Sequence, residues 1–380
     1  MKRILKNNAV QSLLASLACI IFGLLIGYIV LLFINPAGAW DAILTVIKNF
    51  FYYPSKPAAL KYFGSTLVKT VPLMLCGLSV LFAYKVGLFN IGAAGQYVAG
   101  AGAALYLALA LNQPWYVCII GAMLAGAMLG AISGALKSYC NVNEVISCIM
   151  LNWISLYVVN MILTTVKETT SPYTFTLAST NPAALIPSLG LGKLFSNNQY
   201  VTIALPIAIL VSIFIWIVLE KTRFGYELRA TGNNKNAAKY CGMNEKRNII
   251  LTMVIAGALA GLGAALLFLT GFEQWQCSQS SVPTMGFNGI AAAFLGGLNP
   301  IGNIFSSYFI QHITNGGAYV DKTMYCAQIS DLISAIIIYL CGFVAFFKYF
   351  INNCIDRSEE RKAHKRSAAS VSDTKEGGNK

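Results

Sequence analysis

Residues 86–100, VGLFNIGAAGQYVAG, set two amides, Asn90 and Gln96, inside an apolar run with glycines at 87, 92, 95 and 100. An amide left without a partner in hydrocarbon is costly. Such a stretch has two readings. Its amides either hold helices together across small-residue faces or line a path through the membrane.

The rest of the chain reads as membrane too. Hydrophobic residues make up 57% of the 380 and charged residues 11%, with a mean hydropathy of +0.63. A soluble domain carries about 25% charged residues. A chain this long and this apolar is an all-α polytopic membrane protein. The net charge of +13 is no nucleic-acid footprint, because the basic residues flank apolar runs and do not form one patch. Membrane lipid is the expected surrounding. The ten cysteines are scattered, with no CxxC pair and no histidine at metal-ligand spacing. Neither a metal nor another cofactor is expected.

About ten transmembrane helices are predicted, at 11–34, 60–83, 88–111, 115–138, 143–166, 200–220, 248–272, 283–298, 301–318 and 328–350. The eighth and ninth are short and parted by Asn299 and Pro300, so one of them is a candidate re-entrant or broken segment. Gly126, Gly130 and Gly134 fall on one helix face and permit close backbone contact with a neighbour. The transmembrane domain is drawn as 1–355. Residues 356–380 are charged, rich in Ser and Gly, and read as a disordered cytoplasmic tail. Segments 35–59 and 167–199 are expected outside, the first as an interfacial helix because of its aromatic density. Segment 221–247, with seven Lys/Arg, is expected inside. On this plan 20 of the 27 Lys and Arg lie on the inner side, so both termini are expected in the cytoplasm of a bacterial cytoplasmic membrane. GLFNIGAA at 87–94 and GFNGIAAA at 286–293 share a weak likeness, which an internal repeat or chance explains equally well.

No enzyme constellation is present. The chain has two histidines, His312 and His364, no GxxxxGK[ST] sequence, and acidic residues mostly at span ends or in loops. That tilts the energy source toward an external motor and away from a proton relay. Amides donate and accept, so Asn90, Gln96, Asn152, Asn160 and Asn288 suit a polar neutral solute. Phe287 and Trp153 offer stacking surface. Lys69 either faces the path or snorkels to the outer interface. His312 reads as a core histidine. Within 221–247, Gly232 and Asn233 suit an N-terminal turn, residues 234–241 suit two turns of helix, and Gly242 is the stop. Ala237 and Ala238 offer a small, smooth surface there, and Lys235 and Lys239 share a face.

GLFNIGAAGQ at 87–96 resembles the GLFNIGAEGQ signature of the permease subunits of ABC importers for nucleosides and simple sugars. Ala94 stands where many relatives carry Glu, so any role of that carboxylate is absent here. Three further stretches resemble this branched-chain amino acid/sugar permease superfamily: NEVISCIMLNWI at 143–154, TRFGYELRATGNNKNAAKYCGMN at 222–244 and GFNGIAAAFLGGLNPIG at 286–302. Together they extend the resemblance over most of residues 60–350. It implies an ABC importer permease bundle of the vitamin B12-importer-like type that moves nucleosides by alternating access, with no catalytic residue. It also implies a cytoplasmic ABC ATPase, a second homologous permease chain and an external substrate-binding lipoprotein. The ATPase coupling helix would lie at Arg229, Gly232, Asn236, Ala237, Ala238, Lys239 and Gly242. A ribose- or galactose-type sugar permease is the alternative within transport. A membrane-embedded enzyme or receptor-like scaffold is the alternative of another class, and it would need an intramembrane catalytic cluster that the sequence lacks.

Overall fold

The computed structural model describes residues 8–321 and 323–326, with scattered positions from 332 to 353. The tail at 356–380 and most of the tenth predicted span lie outside the described residues. Among the described residues every regular element is helical: α1 (Asn8–Ile34), α2 (Ala39–Lys48), α3 (Lys56–Tyr84), α4 (Ala93–Leu109), α5 (Trp115–Cys140), α6 (Glu144–Leu163), α7 (Ala204–Lys221), α8 (Arg223–Asn233), α9 (Lys235–Tyr240), α10 (Glu245–Phe268), α11 (Met285–Leu295) and α12 (Pro300–Gly316), with short helical turns between some of them. Five of these, α3, α5, α6, α7 and α10, are long and apolar enough to cross a membrane, and α1, α4 and α11 contribute shorter apolar stretches.

Local chemistry marks the helix starts. Asn143 caps α6 by accepting from the Val145 N–H at 2.9 Å, and Asn244 caps α10 through the Arg247 N–H at 3.1 Å. Asn299 caps α12 at 2.9 Å, with Pro300 in the first helical position where its missing N–H costs nothing. Inside the bundle, α3 is the most enclosed span and α10 packs beside it. Glycines bring α5 and α10 into backbone contact: a Cβ at Gly126 would collide with the Gly257 carbonyl oxygen, and one at Gly130 with the Met253 carbonyl oxygen.

Two expectations change. The eighth predicted span is helical only over α11, whose 11 residues rise about 16 Å, roughly half of a ~30 Å hydrocarbon core. Segment 167–199 is not a plain loop. Asn181 donates to the carbonyls of Ala108 and Gln113, Asn198 donates to that of Lys61, and Ile186 N–H reaches Leu269 O at 3.0 Å. These bonds pin the segment across the ends of α3, α4 and α10. In the 35–59 segment α2 is followed by a 3₁₀ turn at Asn49–Tyr52, with Trp40 and Phe51 exposed.

Candidate functional site

Between α3 and α4 the chain leaves helix. Gly87 takes φ of +77°, a conformation that favours glycine, and helix resumes at Ala93. Asn90 is fully buried in this connection. Its Nδ2 donates to Ser79 Oγ of α3 at 3.0 Å and to Gln96 Oε1 of α4 at 2.9 Å, and Gln96 Nε2 returns a bond to Asn90 Oδ1 at 3.3 Å. Asn152 of α6 closes the other side. Its Oδ1 accepts from the Gly95 N–H at 2.8 Å and its Nδ2 donates to the Ile91 carbonyl at 3.1 Å. Three candidate path residues therefore meet in one polar knot, with exposures of 0% for Asn90, 1% for Gln96 and 2% for Asn152. Its bonds run within the protein, which is how buried amides hold helices in register.

The other candidates lie apart from the knot. Lys69 is half-buried on α3, and its Nζ stands 3.6 Å from a Glu273 carboxylate oxygen and 5.5 Å from the Phe272 ring centroid. The snorkelling expectation had no such partner in it. Phe287 is exposed and Asn288 half-buried, both on α11. That helix packs against α3: a Cβ at Gly289 would lie 2.8 Å from Cys76, and the Phe294 ring lies 5.4 Å from that of Tyr84. Lys69 lies two helical turns from Cys76 on the same α3 face.

Asn160 of α6 accepts from Trp275 Nε1 at 2.9 Å and donates to the Gln279 carbonyl, fixing the irregular segment that leads into α11. His312 is satisfied locally. Its Nε2 lies 2.9 Å from the Ile47 carbonyl and its Nδ1 3.2 Å from Asn49 Nδ2, so both ring nitrogens have partners.

Segment 221–247 divides in two. The first part, α8, is docked on the bundle. Leu228 and Thr231 are buried, and Thr231 Oγ1 accepts from Asn248 Nδ2 of α10 at 2.9 Å. Arg229 pairs with Glu220 at 2.6 Å. A Cβ at Gly232 would collide with the Lys85 carbonyl oxygen. Burial here holds the Lys85 ammonium below its ordinary pKa; Glu220 opposes that shift and Arg229 adds to it. The second part, α9, is capped by Asn234, whose Oδ1 accepts from the Ala237 N–H at 3.0 Å. It ends at Gly242, with φ of +79°. Asn236, Ala237 and Lys239 are exposed. Ala238 corrects the sequence reading: at 3% exposure it faces the protein and offers no outer surface. Tyr240, at 95% exposure, takes its place beside Ala237. Lys235 is already paired with Glu245 at 3.7 Å.

The contacts of Ser79, Glu220 and Glu273 and the exposure of Tyr240 could not be read from the sequence. Serine at a helix interior and a carboxylate just past a helix end carry no signal until their partners are known. No group of three or more metal-ligating side chains occurs among the described residues.

Known proteins match along nearly the whole chain. The nucleoside ABC transporter permease protein NupB of Lactococcus lactis subsp. cremoris is 33% identical over 367 residues, covering 94% of this chain and 97% of that protein. The guanosine ABC transporter permease protein NupP of Bacillus subtilis is 32% identical over 333 residues, covering 86% and 92%. A second B. subtilis guanosine permease protein, NupQ, is 29% identical over 259 residues, covering 64% and 78%. The pattern of one permease family matches residues 62–342. With five helices long and apolar enough to cross a membrane among the described residues and a polar knot at its signature stretch, this multi-pass membrane chain is a transport subunit, not an enzyme, and belongs to the branched-chain amino acid transport system / permease component family.

Proposed function

We propose that this chain is one permease subunit of an ABC importer for nucleosides. The observation that carries the reading is the similarity to NupB, a nucleoside permease protein, over 94% of this chain and 97% of that one. The bundle has about ten spans of the vitamin B12-importer-like type, with α11 as a half-span and both termini in the cytoplasm. The Lys/Arg distribution supports that orientation. A second homologous permease completes the path, and the likeness to both NupP and NupQ supports a paired arrangement. A substrate-binding lipoprotein delivers the solute to the outer face, where segments 35–59 and 167–199 lie. An ATPase docks inside on α9, through Ala237, Tyr240 and the exposed Asn236 and Lys239.

Within this reading the candidate residues separate by role. Asn90, Gln96 and Asn152 hold the α3–α4 connection in shape. Lys69, with Glu273, and Phe287 and Asn288 on α11 are the groups that a passing solute meets. The test is uptake of labelled nucleosides and sugars in cells with and without the gene. Nucleoside uptake should depend on the gene; loss of ribose uptake alone would sink the assignment. Ala237→Asp should leave the permease folded while ATPase binding and uptake fall together, read by co-purification and transport in one preparation.

A further inference from the structure

We infer that residues 85–96 relay movement of the α8–α9 arm to the half-spanning helix α11, with Gly232, Ser79 and Asn90 as positioning residues; this rests on the reading that the ATPase meets α9.

The relay is a series of contacts made almost entirely by backbone. At the arm, Gly232 lies so close to Lys85 and Val86 that a Cβ would collide with the Lys85 carbonyl oxygen. Across the same junction a Cβ at Gly87 would stand 3.5 Å from the Gly232 carbonyl oxygen. Backbone against backbone leaves no long side chain to absorb a displacement, and packed interfaces shift as units. Glu220 reinforces the junction from α7. It binds Arg229 at 2.6 Å and also acts on Lys85 of the connection.

The connection cannot slip against its surroundings without breaking buried bonds. Asn90 ties it to α3 through Ser79 and to α4 through Gln96. Asn152 binds both Ile91 and Gly95. A push on residues 85–87 therefore reaches the first turn of α4. There the next backbone contact waits: a Cβ at Gly286 of α11 would collide with the Ala94 backbone. The helix at the end of this series is the short one. With 11 residues it can tilt or slide without carrying a full span with it. It packs on the same helix that carries Lys69, Gly289 against Cys76, so its displacement bears on the α3 face that holds the Lys69–Glu273 pair.

The assignment predicts two motions that separate on mutation. Spin labels are placed at Tyr226→Cys, exposed on α8, and Phe287→Cys, exposed on α11. Each is read by distance to a fixed reference label in the complex of permeases and ATPase reconstituted in lipid, before and after ATP binding. Both labels should shift in the parent complex. In Gly232→Val the shift at 226 should persist, the shift at 287 should fall by about five-fold or more, and uptake per ATP hydrolysed, read in the unlabelled variant with Phe287 intact, should fall with it. Ser79→Ala removes one Asn90 bond with little risk to folding and should reduce the 287 shift by about two-fold. An unchanged 287 shift in both variants overturns the relay, as does a parent complex in which 226 moves and 287 does not. If 226 itself stays still on ATP binding, the ATPase does not act through this arm and both readings fall.

Discussion

GLFNIGAA at 87–94 and GFNGIAAA at 286–293 look alike as strings and fold differently. The first is a bend: Gly87 has φ of +77°, and helix begins only at Ala93. The second is helical throughout, within α11. Asn90 in the first is buried and bonded to two neighbouring helices, whereas Asn288 in the second is half-buried. The two stretches nevertheless meet, Gly286 against Ala94. The likeness is thus not one structural unit used twice. Small residues recur because both stretches need close backbone approach, and the asparagines do different work because, of the two and among the described residues, only the Asn90 side chain is bonded to neighbouring helices.

The contact between the stretches offers the largest effect. Gly286→Val forces a branched side chain into the Ala94 backbone, which should cost about 3 kcal/mol and remove most of the folded protein. Monodisperse yield in size-exclusion chromatography reads this, and a normal peak would mean that the two stretches are not in contact. The next test separates the two asparagines. Asn90→Leu strands the Gln96 amide and should lower stability in detergent by about 2 kcal/mol. Asn288→Leu should change it by less than about 0.5 kcal/mol while reducing nucleoside uptake. Equal destabilisation by the two would erase the distinction between an amide tied to neighbouring helices and one that is not. A loss smaller than that of Asn90→Leu is expected at the bend itself. Gly87→Ala places a Cβ at φ of +77° and should cost about 1 kcal/mol, measured by thermal unfolding of the purified chain; no loss would show that the bend relaxes freely.

Membrane character, helical class and the start points of several helices were legible in the residues alone, since these depend on composition and on neighbours a few positions away. Asn299 with Pro300 announces α12, and Gly242 marks the stop of α9, because capping needs only the local backbone; the start of α9 did not read so, since Gly232 and Asn233, which suit a turn, are the last residues of α8 and Asn234 is the cap. The spacing of Gly126, Gly130 and Gly134 likewise indicated a close helix contact, since helical period places them on one face. Which helix lay opposite, α10 with Gly257, came from the tertiary structure. So did the partner of Lys69, a carboxylate at position 273, and the direction of Ala238, turned inward while Ala237 faces out. The residues alone marked the eighth or ninth span as short or broken; that it is the eighth, helical over 11 residues, came from the tertiary structure. Periodicity specifies faces, but the choice between an amide that lines a path and one that ties helices together belongs to packing. That choice depends on what stands within 3 Å of the side chain, and for Asn90 part of the answer is Ser79 on the preceding helix.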